Sequence, residues 1–219
     1  MIASTLLSMD IVPLRTSDTG SEALSIMSDF YVKHLPIVNN EELLGLLSED
    51  DILDNDVEEA VGSYQLSISK PYVKDNDHLY EVLRVMSDHN LSVVPVVDSE
   101  QNYLGLITQE DLLRFFAKSG SFTEPGSIIV IEISKRDYSL SEIARIVESE
   151  NAAILSSFIT TNLESTRVDV TLKINKQDIS RILASLVRYE YQIKASFQES
   201  QYFDTLSDRF DSLMTYLNI

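Results

Sequence analysis

The feature that most constrains this chain is that its first half is written twice. His34-Leu35-Pro36-Ile37-Val38, followed by Leu44-Gly45-Leu46-Leu47-Ser48-Glu49-Asp50-Asp51-Ile52-Leu53, returns as Val93-Val94-Pro95-Val96-Val97, followed by Leu104-Gly105-Leu106-Ile107-Thr108-Gln109-Glu110-Asp111-Leu112-Leu113. The offset is roughly 60 residues, with one residue added in the turn between the apolar runs. Upstream, Asp18-Thr19 with Ala23, Leu24 and Met27 aligns with Asp77-His78 with Val82, Leu83 and Met86. A period of this length marks a repeated supersecondary unit whose copies bury their apolar faces against each other.

Each copy reads the same way. A polar cap opens a helix over 21–30 or 79–90. A β-rich apolar strand carrying the proline follows. Then come a polar turn (Asn39 to Glu42, or Asp98 to Asn102), a second strand through the glycine, and a closing helix capped by Ser48 or Thr108. Ser48 with Asp51, and Thr108 with Asp111, have capping-box spacing. The hydroxyl accepts a bond from a free helical N–H, and the carboxylate favours the positive end of the helix dipole. Capping alone accounts for these four residues without any ligand.

These residues resemble the CBS domain family, in tandem, over 1–118, with units at about 1–60 and 61–118. The resemblance implies two β-α-β-β-α units packed sheet to sheet as a pseudo-symmetric pair with two clefts. It also implies adenosine-type ligands (AMP, ADP, ATP or S-adenosylmethionine), with no cofactor required. By this resemblance Ser48 and Asp51 serve one cleft and Thr108 and Asp111 the other. Pro36 and Pro95 flank the base, and Thr16, Val38, Val73 and Val97 stand at the edges. A carboxylate suits this role because it can accept two ribose O–H bonds. A triphosphate needs cations, and only Lys33 and His34 lie beside a proline strand, where the second copy has Ser92 and Val93. The other reading of the same residues is a constitutive dimerisation scaffold with empty clefts.

The run Glu49 to Glu59 is acidic but lacks the glycine and alternating oxygen ligands of a calcium loop, so no metal site is expected. The segment 119–126 is rich in Gly, Ser and Pro and reads as a linker. Beyond it the pattern gives a strand over 128–133, a helix over 141–150 and strands over 153–160 and 167–174. A helix opened by Asn175 and Asp178 then runs through 188, and a strand spans 192–197. The order βαββαβ is a ferredoxin-like unit, and over 127–198 it resembles the ACT domain. That resemblance implies amino-acid binding at a glycine turn. This chain carries Arg136-Asp137-Tyr138-Ser139 there, and Glu150-Asn151-Ala152 before the second strand. A sheet used for dimerisation is therefore the competing reading. The expected fold class is α+β, and the joined architecture resembles regulatory proteins of the acetoin-utilisation type.

The last segment, 199–219, places Tyr202, Phe203, Leu206, Phe210, Leu213, Met214 and Leu217 at helical spacing. An amphipathic helix that contacts a protein partner or a second copy in a homodimer is expected there. Its polar face is too acidic for a membrane surface. The net charge of −18 repels phosphate backbones, so nucleic-acid binding is not expected. The charge is uneven: 7 Lys and Arg against 21 Asp and Glu up to Lys118, and 10 against 14 beyond it. The chain has no cysteine, no long apolar run and no basic, apolar leader. These features suit a cytoplasmic protein. His34, His78 and His89 fall at no ligand spacing, and no nucleophile or phosphate-loop motif appears. The chain therefore reads as a non-catalytic regulator.

Overall fold

In a computed structural model, residues 1–8, 10–68, 70–118, 120–161 and 165–198 are described. The chain divides into two compact units, Met1–Ala117 and Lys118–Ile219.

In the first unit, helix α1 (Gly20–Asp29) opens on Thr19, whose hydroxyl accepts the Glu22 N–H while Glu22 reaches back to the Thr19 N–H. Strands β1 (His34–Asn39) and β2 (Glu42–Ser48) pair antiparallel from His34↔Ser48, with a bulge at Ile37/Val38. Helix α2 (Glu49–Leu53) closes the first copy. The second copy comprises β3 (Val73–Lys74), α3 (Leu79–Asp88), β4 (Val93–Val97), β5 (Tyr103–Thr108) and α4 (Gln109–Lys118). Strands β4 and β5 pair from Val93↔Thr108, and their bulge falls at Val96/Val97, the same place in the repeat. Strand β3 adds in parallel to β4, as Leu14 does to Ile37 in the first copy. One continuous core joins both copies, through Leu35, Leu46 and Ile52 on one side and Val93, Leu106 and Leu112 on the other.

The copies are interlocked as well as packed. Residues that lead into the first copy dock on the second: Ala3 donates to Asp77 O at 2.9 Å, Ser4 to Asp75 O at 2.9 Å and Ser8 to Leu106 O at 2.8 Å. The matching segment of the second copy docks on the first: Val61 donates to Asp18 O at 2.8 Å and Gly62 to Thr16 O at 3.0 Å. Glycine is required in that crossing. A Cβ at Gly62 would sit 2.7 Å from the Thr16 carbonyl oxygen.

The second unit begins with a single helical turn, α5 (Gly120–Thr123), inside the segment expected to be a turn-rich linker. Pro125 disfavours helix at Glu124, so the turn stops there. Strand β6 (Ser127–Ser134), helix α6 (Leu140–Ser149), strands β7 (Ile154–Thr161) and β8 (Arg167–Ile174), helix α7 (Ser180–Arg188) and strand β9 (Gln192–Phe197) follow. The antiparallel sheet has the order β7-β8-β6-β9, the ferredoxin-like arrangement. In β8, Val168, Val170, Leu172 and Ile174 alternate inward and meet Ile143, Ile146 and Val147 of α6 and Ile182 and Leu186 of α7. The caps differ in detail from the sequence expectation. Ser139 caps α6, which starts one residue before the expected 141, and the Asn175 amide oxygen accepts the Ala153 N–H at 2.7 Å instead of serving α7. The amphipathic tail expected over 199–219 lies outside the described residues. Among the described residues, no helix is long and apolar enough to cross a membrane.

Candidate functional site

Both capping boxes form as their spacing requires. Ser48 Oγ accepts the Asp51 N–H at 3.1 Å, and Asp51 Oδ2 accepts the Ser48 N–H at 3.0 Å. Thr108 Oγ1 accepts the Asp111 N–H at 2.9 Å, and Asp111 Oδ2 accepts both the Thr108 N–H at 3.1 Å and its hydroxyl at 2.6 Å. The register that sets His34 opposite Ser48 and Val93 opposite Thr108 places each box at the same point of its copy.

The second oxygen of each aspartate separates the two copies. Asp51 Oδ1 accepts the Ser67 N–H at 2.9 Å, from the segment that crosses onto the first copy. The residue is 4% exposed, so its carboxylate is closed off by main chain. Burial pushes the Asp51 carboxyl up, but the hydrogen bonds from Ser48 and Ser67 outweigh it and hold the group below its ordinary value. On the other side the matching residue, Ser8, donates to the Leu106 carbonyl instead. Asp111 Oδ1 is left with Arg114 at 4.0 Å and no hydrogen bond among the described residues, and its side chain is 21% exposed. It lines a cavity of about 130 Å³ together with Phe30, Tyr31, Ser92 and Thr108.

The remaining residues singled out from the sequence fall into three places. His34 is a bridge between copies. Its Nδ1 accepts the Ser92 N–H at 3.2 Å and meets Ser92 Oγ at 3.0 Å, while Ser92 Oγ accepts the Lys33 N–H at 2.8 Å. Pro36, Pro95 and Val73 are buried in the strands. Val38 and Val97 join Leu43 in a small buried cluster against Tyr72 and Tyr103. Thr16 is exposed and shares a separate groove of about 510 Å³ with Arg15 and Val38. The structure thus brings Thr108 and Asp111 together at a cavity, sets Ser48 and Asp51 under main chain, and keeps Thr16 apart from both. The residues that sequence reasoning missed are Phe30, Tyr31 and Ser92. Aligning the copies would have pointed to Tyr31, which stands where the second copy has Asn90, with φ 53° against 51°.

Burial holds His34 below its ordinary value of 6.5. Asp51 and Asp50 pull it the other way, and Lys33 adds to the lowering. A buried base with a lowered folded value contributes stability that is complete above its unfolded value and lost as pH falls below it. Stability of the first unit is therefore expected to decline below about pH 6.5. His34→Asn, which keeps an acceptor for Ser92 but does not titrate, should flatten that decline. Equal slopes for both proteins in urea melts between pH 5 and 7 would remove His34 as its source.

Among the described residues, no three His, Asp or Glu side chains gather as a metal-ligand set. The sequence profile described as the CBS domain matches residues 3–58 and 61–118. An uncharacterized protein of Methanocaldococcus jannaschii is 28% identical over 112 residues, which are 48% of this chain and 36% of that one. The inosine-5'-monophosphate dehydrogenase of the same organism is 28% identical over 108 residues, 48% of this chain and 21% of that one. The chain thus spans well under half the length of these relatives. The crystal structure of a CBS domain pair/ACT domain protein from Thermotoga maritima superposes with a TM-score of 0.48 at 22% identity, covering 54% of this chain and 98% of that one. With both copies matched over more than half of its length, the chain belongs to the CBS domain family and carries the domain twice in tandem.

Proposed function

We propose that this chain is a non-catalytic sensor that binds an adenosine-type ligand in one cleft only, the one at Thr108 and Asp111. The observation that carries the reading is the difference between two otherwise matching boxes. Asp51 has both oxygens bonded to main-chain N–H groups, whereas Asp111 has only one so bonded and lines a cavity. A carboxylate with one oxygen anchored by the main chain and the other taking no hydrogen bond from the described residues is pre-organised to accept ribose hydroxyls, and it loses little freedom on doing so. The Ser48 box then serves as a cap that holds the interlocked copies together. In this reading the ligand shifts the relation of the two copies only as far as it binds one arrangement better than the other. The second unit and the tail pass that shift to a homodimer or a protein partner.

Calorimetric titration with AMP, ADP, ATP and S-adenosylmethionine tests this, alongside melting temperatures. Asp111→Ala removes charge-assisted hydrogen bonds to the ligand, each about 1.5–3 kcal/mol, so affinity should fall at least tenfold. Retained affinity in a folded Asp111→Ala variant would remove the assignment. If the wild-type chain binds none of these ligands, the reading gives way to a constitutive scaffold in which both boxes are only caps.

A further inference from the structure

Tyr31 follows α1 in the left-handed region at φ 53° and is 94% exposed. A bulky residue there costs backbone energy that Asn tolerates far better, and the second copy has Asn90 at the matching position. At that exposure the ring cannot recover the cost by packing on its own chain. Tyr31 and the neighbouring Phe30 instead line the rim of the cavity that Asp111 faces. That cavity, about 130 Å³, is smaller than the roughly 300–1,000 Å³ that enclose a whole ligand. It has room for a sugar, and a base attached to that sugar must lie out against the rim. An exposed aromatic face is the surface on which a base of any identity stacks.

The walls add a charge rule. Asp10, Glu110 and Asp111 line the cavity, and the one cation among its described lining residues, Arg114, has Nη2 held by Glu110 at 2.5 Å. A phosphate there would meet three carboxylates against one guanidinium that Glu110 and Asp111 already engage. A neutral or cationic substituent meets no such penalty.

We propose that the Thr108–Asp111 cavity takes a nucleoside without phosphate, neutral or positively charged, with its base stacked on Tyr31. This rests on the cleft reading above and names the ligand class for it. The test is calorimetry of wild type, Tyr31→Phe and Tyr31→Asn with adenosine, S-adenosylmethionine, AMP and ATP at low ionic strength. Adenosine and S-adenosylmethionine should bind at least tenfold tighter than AMP and ATP. Tyr31→Phe should match wild type. Tyr31→Asn should lose about tenfold in affinity, the lower part of the range for one stacked base. It should also melt at the wild-type temperature or above, because the backbone cost is relieved. Loss of affinity without loss of stability separates stacking from a structural role. AMP or ATP binding as tightly as adenosine overturns the charge rule, and unchanged affinity or a lower melting temperature in Tyr31→Asn overturns the stacking role. In either case binding that Asp111→Ala abolishes leaves the cleft reading standing. Absence of wild-type binding to all four compounds overturns both.

Discussion

Asp51→Ala is expected to lower the stability of the first unit by about 3 kcal/mol, whereas Asp111→Ala, at the matching position, should cost about 1 kcal/mol. Truncating Asp51 strands the N–H of Ser48, a buried residue, and takes the acceptor from the N–H of Ser67, which is exposed. Each buried donor left without a partner costs about 1–3 kcal/mol. Truncating Asp111 removes the bonds it takes from the Thr108 N–H and hydroxyl, at a side chain 21% exposed that water can reach. For a unit of this size 1 kcal/mol is worth about 4 °C, so the two variants should melt roughly 8 °C apart. The pH dependence has a definite sign. The Asp51 carboxyl is held below its ordinary 3.8, so its contribution is present above that value and is lost as pH falls through the lower folded one. The gap between wild type and Asp51→Ala should therefore hold from neutral pH to about pH 4 and shrink only below that. Urea melts of both variants decide the matter: equal costs for the two aspartates would mean that the two boxes are equally open.

The parts of this structure that were legible in the sequence are those whose cause is local. The boxes at Ser48 and Thr108 follow from a hydroxyl and a carboxylate three residues apart, and both form. The inward set Val168, Val170, Leu172 and Ile174 follows from a period of two, and the strand carries it from Arg167 to Ile174. The asymmetry of the clefts was not legible. It depends on whether the N–H of a residue on a crossing segment reaches a carboxylate or a carbonyl, and Ser67 and Ser8 are both serines at matching positions. His34 looked like a candidate for phosphate because it follows Lys33. Only the pairing of the copies reveals Ser92 as its partner, 58 residues away. Val38 and Val97 looked like cleft edges by resemblance, and the cluster with Leu43, Tyr72 and Tyr103 exists only once both polar turns meet. Tyr31 carried a signal of its own, an aromatic residue where the repeat has Asn, but its meaning needed the backbone angle and the neighbouring cavity. Short-range chemistry was written in each copy, and long-range chemistry in how the copies interlock.

The interlocking makes its own large prediction. Ala3→Asp is expected to cost the first unit about 4 kcal/mol or more, most of what holds a marginally stable unit together. Ala3 is 0% exposed although it stands third in the chain, because it docks on the second copy, with its N–H on the Asp77 carbonyl. A carboxylate there would be buried in the shared core to which Ala3, Leu79 and Val82 belong. Such a group either stays charged without a partner or takes up a proton, and both routes destabilise the folded state. Ile2 is the control. It is 42% exposed, so Ile2→Asp should cost under about 1 kcal/mol one position earlier. Far-UV circular dichroism in urea would show the Ala3→Asp midpoint well below that of Ile2→Asp. Two overlapping curves would mean that the leading segment is not part of the core, and the interlocked arrangement of the copies would fall with it.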